Sequence, residues 1–178
     1  MDLKDISIFL IGSWNTKIFT PAWMMSELLG LQSNEELEIG FNNNLQPIYK
    51  YKQVHFIPTE RAFEIRFENI SDVSIDIAIK SVLKLISTLP FTPNLLVGFN
   101  YKIISNCDFQ NIKIPSFSEM YSLNEVKMSR IESNFILNVI INFSDTKTIT
   151  YNFHYSNLSF IKENAIQEHI DYLKKNGN

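Results

Sequence analysis

The chain has 178 residues, 45% of them hydrophobic and 13% aromatic, with a formal charge of −3. That is one ordinary domain with enough apolar material for a packed core, which excludes a disordered chain. No apolar run approaches the roughly 20 residues that span a bilayer, and no basic face exists to drive nucleic-acid binding through counterion release.

Residues 5–12 alternate loosely and are rich in Ile and Phe, which reads as a strand. Thr20, Pro21 and Gly30 bracket a short helix over 21–29, because Thr caps, Pro suits the first helical position and Gly suits the place just past the end. Trp23, Met24 and Leu28 are its expected inward residues. Leu37, Ile39 and Phe41 alternate with polar neighbours and predict a half-buried strand. Asn42-Asn43-Asn44 is a turn, since Asn bonds its own backbone. Residues 47–57 read as one long strand or two short ones. Phe63, Ile65 and Phe67 predict another strand.

Ser71 caps an expected helix over 72–89, with an apolar stripe of Ile75, Ile79, Val82, Ile86 and Leu89. Pro90 and Pro93 stop it. A strand with Leu95, Val97, Phe99, Tyr101 and Ile103 follows, then a loop with Pro115 and a short helix over 117–126. Phe135, Leu137, Val139, Ile141 and Phe143 alternate strictly, as do Ile149, Tyr151, Phe153 and Tyr155, with a tight connection at Ser144-Asp145-Thr146. A last helix near 159–175 directs Ile166, Ile170 and Leu173 inward.

These elements predict an α+β fold: one antiparallel sheet with helices on one side, in a single unit over 1–178. The halves 1–91 and 92–178 share a β-α-β-β-β-α order, which suggests a pseudo-repeat of pattern without identity. The order of the first half resembles the TATA-binding-protein-like topology. That resemblance rests on element order and implies fold alone. DNA binding does not carry over, because an acidic chain is ill suited to the DNA-gripping use of such a sheet.

Catalytic groupings are missing from the pattern. The chain has 5 glycines and no Gly-rich phosphate loop, so neither a P-loop nor a dinucleotide site is expected. Ile11-Gly12-Ser13-Trp14 lacks the second glycine of a nucleophile elbow, leaving Ser13 an ordinary loop serine. His55, His154 and His169 are far apart in sequence and read as solvent-facing or hydrogen-bonded rather than metal-binding. Cys107, the single cysteine, has an acid beside it and no base, so nothing activates its thiol. An enzyme would have to use His154 or Cys107, and the sequence does not favour one. No metal site or cofactor is expected.

Several polar clusters have ordinary explanations. Glu35, Glu36 and Glu38 read as a solvated strand edge. Glu163, Glu168, His169 and Asp171 read as the polar face of the last helix. Tyr49-Lys50-Tyr51-Lys52 puts its tyrosines and lysines on opposite faces of a strand, which separates base stacking from phosphate binding. The Asn-x-Ser sequons at Asn69, Asn142 and Asn157 carry no weight without a secretion signal. The charged start Met1-Asp2-Leu3-Lys4-Asp5 lacks the features of a signal peptide, and one cysteine fits a reducing compartment, so a cytoplasmic location is expected.

The second-half strands are the informative region. Facing away from their apolar residues are Asn134, Ile136, Asn138, Ile140 and Asn142, then Thr148, Thr150, Asn152 and His154. A solvent face usually carries more Lys and Glu. Uncharged polar residues mixed with Ile suit contact with another protein or with the other half of the chain, and cover by one of the chain's own helices explains them equally well. The favoured expectation is therefore a non-enzymatic interaction or assembly protein, with nucleic acid and membrane disfavoured as partners. The alternative is a small-ligand module, with Trp14, Phe19, Trp23, Tyr101 and Tyr121 lining an aromatic pocket between the halves or between sheet and helix.

Overall fold

The computed structural model describes residues 2–104, 125–143 and 148–176. Its strands are β1 (Asp2–Ile11), β2 (Glu38–Phe41), β3 (Pro47–Tyr51), β4 (Val54–Pro58), β5 (Ala62–Phe67), β6 (Leu96–Ile104), β7 (Glu125–Ile131), β8 (Ile136–Asn142) and β9 (Thr148–Tyr155). They form one sheet in the order β2-β3-β4-β5-β1-β6-β9-β8-β7, with every neighbouring pair antiparallel. The expected α+β class with helices on one side of an antiparallel sheet is what the structure shows. β1 and β6 form the central pair. Reading outward from it, one flank runs β5, β4, β3, β2 and the other runs β9, β8, β7.

Local chemistry accounts for the helices. In α1 (Pro21–Trp23), Thr20 Oγ1 accepts from the Trp23 amide at 3.2 Å, and Pro21 occupies the first turn. The helix then widens over Met24–Leu28, where the Leu29 amide reaches back to the Met24 carbonyl. Gly30, with φ of +59°, ends it. α2 (Asp72–Thr88) starts from a reciprocal cap: the Ser74 amide donates to Ser71 Oγ and the Ser71 amide donates to Ser74 Oγ.

The buried face of α2 includes Ile79 and Val82 of the predicted stripe, with Ile75, Ile86 and Leu89 partly buried against the core, and adds smaller residues to it. Its central line is Ser74, Ala78, Ser81, Val82 and Leu85, flanked by Ile75 and Ile79. The buried Ser81 Oγ donates to the Ile77 carbonyl at 2.8 Å. α3 (Ala165–Asn176) is shorter than expected. A single tight turn at Leu158–Phe160, capped by Asn157, precedes it.

Other boundaries also shift. The stretch 47–57 resolves into the β3–β4 hairpin, turned at Lys52 with φ of +53°. β2 is an exposed edge strand, so Ile39 and Phe41 are not half-buried as their alternation predicts. Asn42 does fix the next turn, its Oδ1 accepting from the Asn44 and Gln46 amides, but the left-handed residue is Leu45. The expected helix over 117–126 lies outside the described residues up to 124. Glu125 and Val126 belong instead to β7, where pairing with β8 decides the backbone.

The core fills the helix side of the sheet. Ile6, Ile8 and Leu10 of β1 are completely buried, as are Phe56, Phe63, Phe99 and Phe153. Each contributes about 1.5–3 kcal/mol on leaving water.

Candidate functional site

Two places carry polar chemistry. The first is the sheet face turned away from the helices. Its registers align one row of residues across all nine strands: Ser129, Asn138, Asn152, Asn100, Ser7, Arg66, His55, Lys50 and Glu38. The row is polar from end to end and changes character at β1.

On the β7–β9 side it is a chain of uncharged hydrogen bonds. Ser129 Oγ donates to Asn138 Oδ1 at 2.7 Å, Asn138 Nδ2 to Asn152 Oδ1 at 3.4 Å, and Asn152 Nδ2 to Asn100 Oδ1. On the other side it is ionic. Arg66 pairs with Glu64, and Lys50 with Glu68 at 3.0 Å and Glu38 at 3.9 Å. The Glu68 bond raises the Lys50 pKa.

Most of the predicted interface residues gather on this face. Ile136, Asn138, Ile140, Asn142, Thr148, Thr150, Asn152 and His154 form one patch over β8 and β9, and Ile136 pairs with the exposed Ile131 of β7. Asn134 does not join them. It sits in the β7–β8 hairpin turn, closed by the Glu132 amide on the Phe135 carbonyl, where strand alternation no longer applies. There it lines a cavity on the helix side instead.

That cavity is the second place. Its volume is about 510 Å³, between the sheet and the start of α3, and it is lined by Phe135, Phe153, Tyr155, Phe160, His169 and Tyr172, with Lys162 and Glu168 also part of its wall. His169 overturns the expectation of a surface residue on the polar face of the last helix: it is 3% exposed. Its Nδ1 lies 2.8 Å from the Tyr101 hydroxyl and its Nε2 lies 2.6 Å from the Tyr155 hydroxyl. Its ring stacks on Phe153 at 4.0 Å, with Phe99 edge-on at 5.0 Å.

Burial in this hydrocarbon setting pushes the His169 pKa down to about 3, so the ring is neutral. Burial pushes Tyr155 up to about 12, with the Glu168 charge adding to the effect, and lifts Tyr101 well above its ordinary value. The three groups form a neutral hydrogen-bonded unit, with no ionised nucleophile among them. The sequence did carry a cue to His169. It stands four residues after Ala165, three after Ile166 and four before Leu173, all buried, so its position lies on the apolar face.

The other candidates are dispersed. His55 sits in the ionic part of the row with its Nε2 unbonded, while His154 lies between Ile136 and Gly98 on β9's neighbours. The aromatic residues expected to share one pocket separate: Trp14, Phe19 and Trp23 cluster around Phe63 of β5, whereas Tyr101 of β6 packs with Phe153 and His169. Tyr49 and Tyr51 are buried strand residues bonded to the Phe19 carbonyl and to Glu35. Cys107, Tyr121 and Ser144-Asp145-Thr146 lie outside the described residues. Among the described residues, no group of three His, Cys, Asp or Glu side chains could hold a metal ion, and no helix is long and apolar enough to cross a membrane.

No protein-family model matches this chain, and no curated protein aligns significantly with it. The two polar sites therefore carry the functional argument by themselves.

Proposed function

We propose that this is a non-enzymatic assembly protein that associates with a second copy of itself through the sheet face over β8 and β9. The uncharged half of the polar row carries this reading. An Asn side chain has both donor and acceptor groups, so a row of amides can meet its own copy about a twofold axis. A row of like charges would repel itself in the same arrangement. Ile131, Ile136 and Ile140 beside the row supply apolar area that gains by being covered. The similar outward strand orders on either side of β1 and β6 also support a pseudo-repeat of the halves 1–91 and 92–178, with the uncharged half specialised for contact.

Light scattering across a wide concentration range tests the proposal. The wild-type chain is expected to reach a dimer or larger species. Ile140→Lys and Asn152→Asp each place like charges against their own copies and are expected to return it to monomer with its circular dichroism unchanged. A wild type that stays monomeric at every concentration, or association indifferent to both substitutions, would overturn it.

A further inference from the structure

The cavity beside His169 lies on the helix side, away from the face proposed for assembly, and its hydrogen positions define a ligand. Tyr101 is completely buried, and the acceptor within reach of its hydroxyl hydrogen is His169 Nδ1. A buried hydroxyl hydrogen left without an acceptor is strongly penalised, so Tyr101 donates and Nδ1 accepts. A neutral imidazole then carries its hydrogen on Nε2 and donates it to the Tyr155 oxygen. Tyr155 must aim its own hydrogen elsewhere. Among the described residues its hydroxyl has no further partner, and its side chain lines the cavity.

We propose that this cavity binds a small planar aromatic molecule bearing one anionic oxygen group, such as an aryl carboxylate, which accepts the Tyr155 hydroxyl hydrogen. The volume of about 510 Å³ suits a small molecule. Phe135, Phe160 and Tyr172 offer ring faces and edges for stacking, and Phe160 is 40% exposed without such a guest. Lys162, also in the wall, has no ion-pair partner among the described residues and supplies a positive charge. Glu168, held by the Asn164 amide at 2.9 Å, opposes negative charge in the cavity, so the single charge of the ligand depends on Lys162 to offset it.

Titration calorimetry with 2-naphthoate, and with 2-naphthamide as its uncharged counterpart, tests this. Saturable 1:1 binding of the naphthoate is expected, with the amide weaker. Tyr155→Phe is expected to weaken naphthoate roughly ten- to hundredfold, the range for a hydrogen bond to a charged group. Lys162→Gln, an exposed change that leaves the core intact, is expected to weaken it several-fold. No saturable naphthoate binding by the wild type, or equal binding by Tyr155→Phe, overturns the proposal. Imidazole nitrogen NMR on the wild-type protein reads the donor direction without any substitution. The Nε2–H tautomer of His169 supports the assignment, and the Nδ1–H tautomer overturns it.

Discussion

On one flank of the sheet, β3, β4 and β5 place charged residues on the outer face and pack Phe56, Phe63, Trp14 and Phe19 beneath. On the other, β8 and β9 place amides outside, and beneath them Tyr101, Tyr155 and His169 sit inside a shell of phenylalanines. The first flank keeps most of its charges at the surface, where ion pairs contribute little and are screened, and its buried polar groups, such as the Tyr49 hydroxyl, are scattered singly. The second buries polar groups and must satisfy each of them, so a single lost partner is felt fully. A buried imidazole between two phenols is a poor way to gain stability alone, since hydrocarbon of similar shape would serve. Its presence beside a cavity is easier to understand as orienting a hydrogen-bond donor.

The largest effects are expected at the buried rings. Phe153→Ala removes a completely buried ring together with the surface on which His169 stacks, and should cost about 3–5 kcal/mol in urea unfolding, with Phe56→Ala on the other flank in the same range. Equal losses would show that packing is equivalent on the two flanks and that their difference is polar.

Acid sharpens that difference. The His169 pKa is about 3 when folded against about 6.5 when unfolded, so between these values the unfolded chain binds more protons. The stabilisation is present above pH 6.5 and is lost as the pH falls towards 3, at up to about 1.4 kcal/mol per pH unit. Denaturant unfolding at pH 7, 6 and 5 should show this slope in the wild type, with a visibly shallower one in His169→Gln. Parallel slopes would mean that His169 is not held neutral by the fold.

Smaller effects separate the flanks finely. Tyr101→Phe strands the buried Nδ1 of His169 and should cost about 1–3 kcal/mol. Arg66→Ala, which breaks the pair between the exposed guanidinium and the half-buried Glu64, should cost about 1 kcal/mol and less in salt. A loss at Arg66 as large as that at Tyr101 would remove the contrast.

The strands were legible wherever one face met the core and the other met water. Phe63-Glu64-Ile65-Arg66-Phe67 and the alternating run of β9 show the period of two because the sheet has one covered side. Thr20, Pro21, Gly30 and Ser71 marked helix ends because caps act on their immediate neighbours. β7 was hidden because it is an edge strand, where Val126 and Met128 alternate with Lys127 and Ser129 too briefly to stand out. The stripe of α2 was legible at Ile79 and Val82, but Ser74, Ala78 and Ser81 beside it were passed over because hydrophobic size was weighed above spacing. His169 was assigned to the polar face by residue type against its position. An aromatic pocket between sheet and helix was among the expectations, but its lining was not legible, since the cavity joins the β7–β8 turn, β9 and α3 through contacts no local pattern encodes.

The β1–β6 pairing has a consequence for synthesis. Ile8 pairs with Phe99 and Leu10 with Val97, so β1, once synthesised, waits for β6. In that interval β2 to β5 and α2 are already made, and one side of β1 is an unpaired, apolar strand edge. Translation stalled before Leu96 would leave a nascent chain with a sticky margin, and the second half emerges as the piece that seals it.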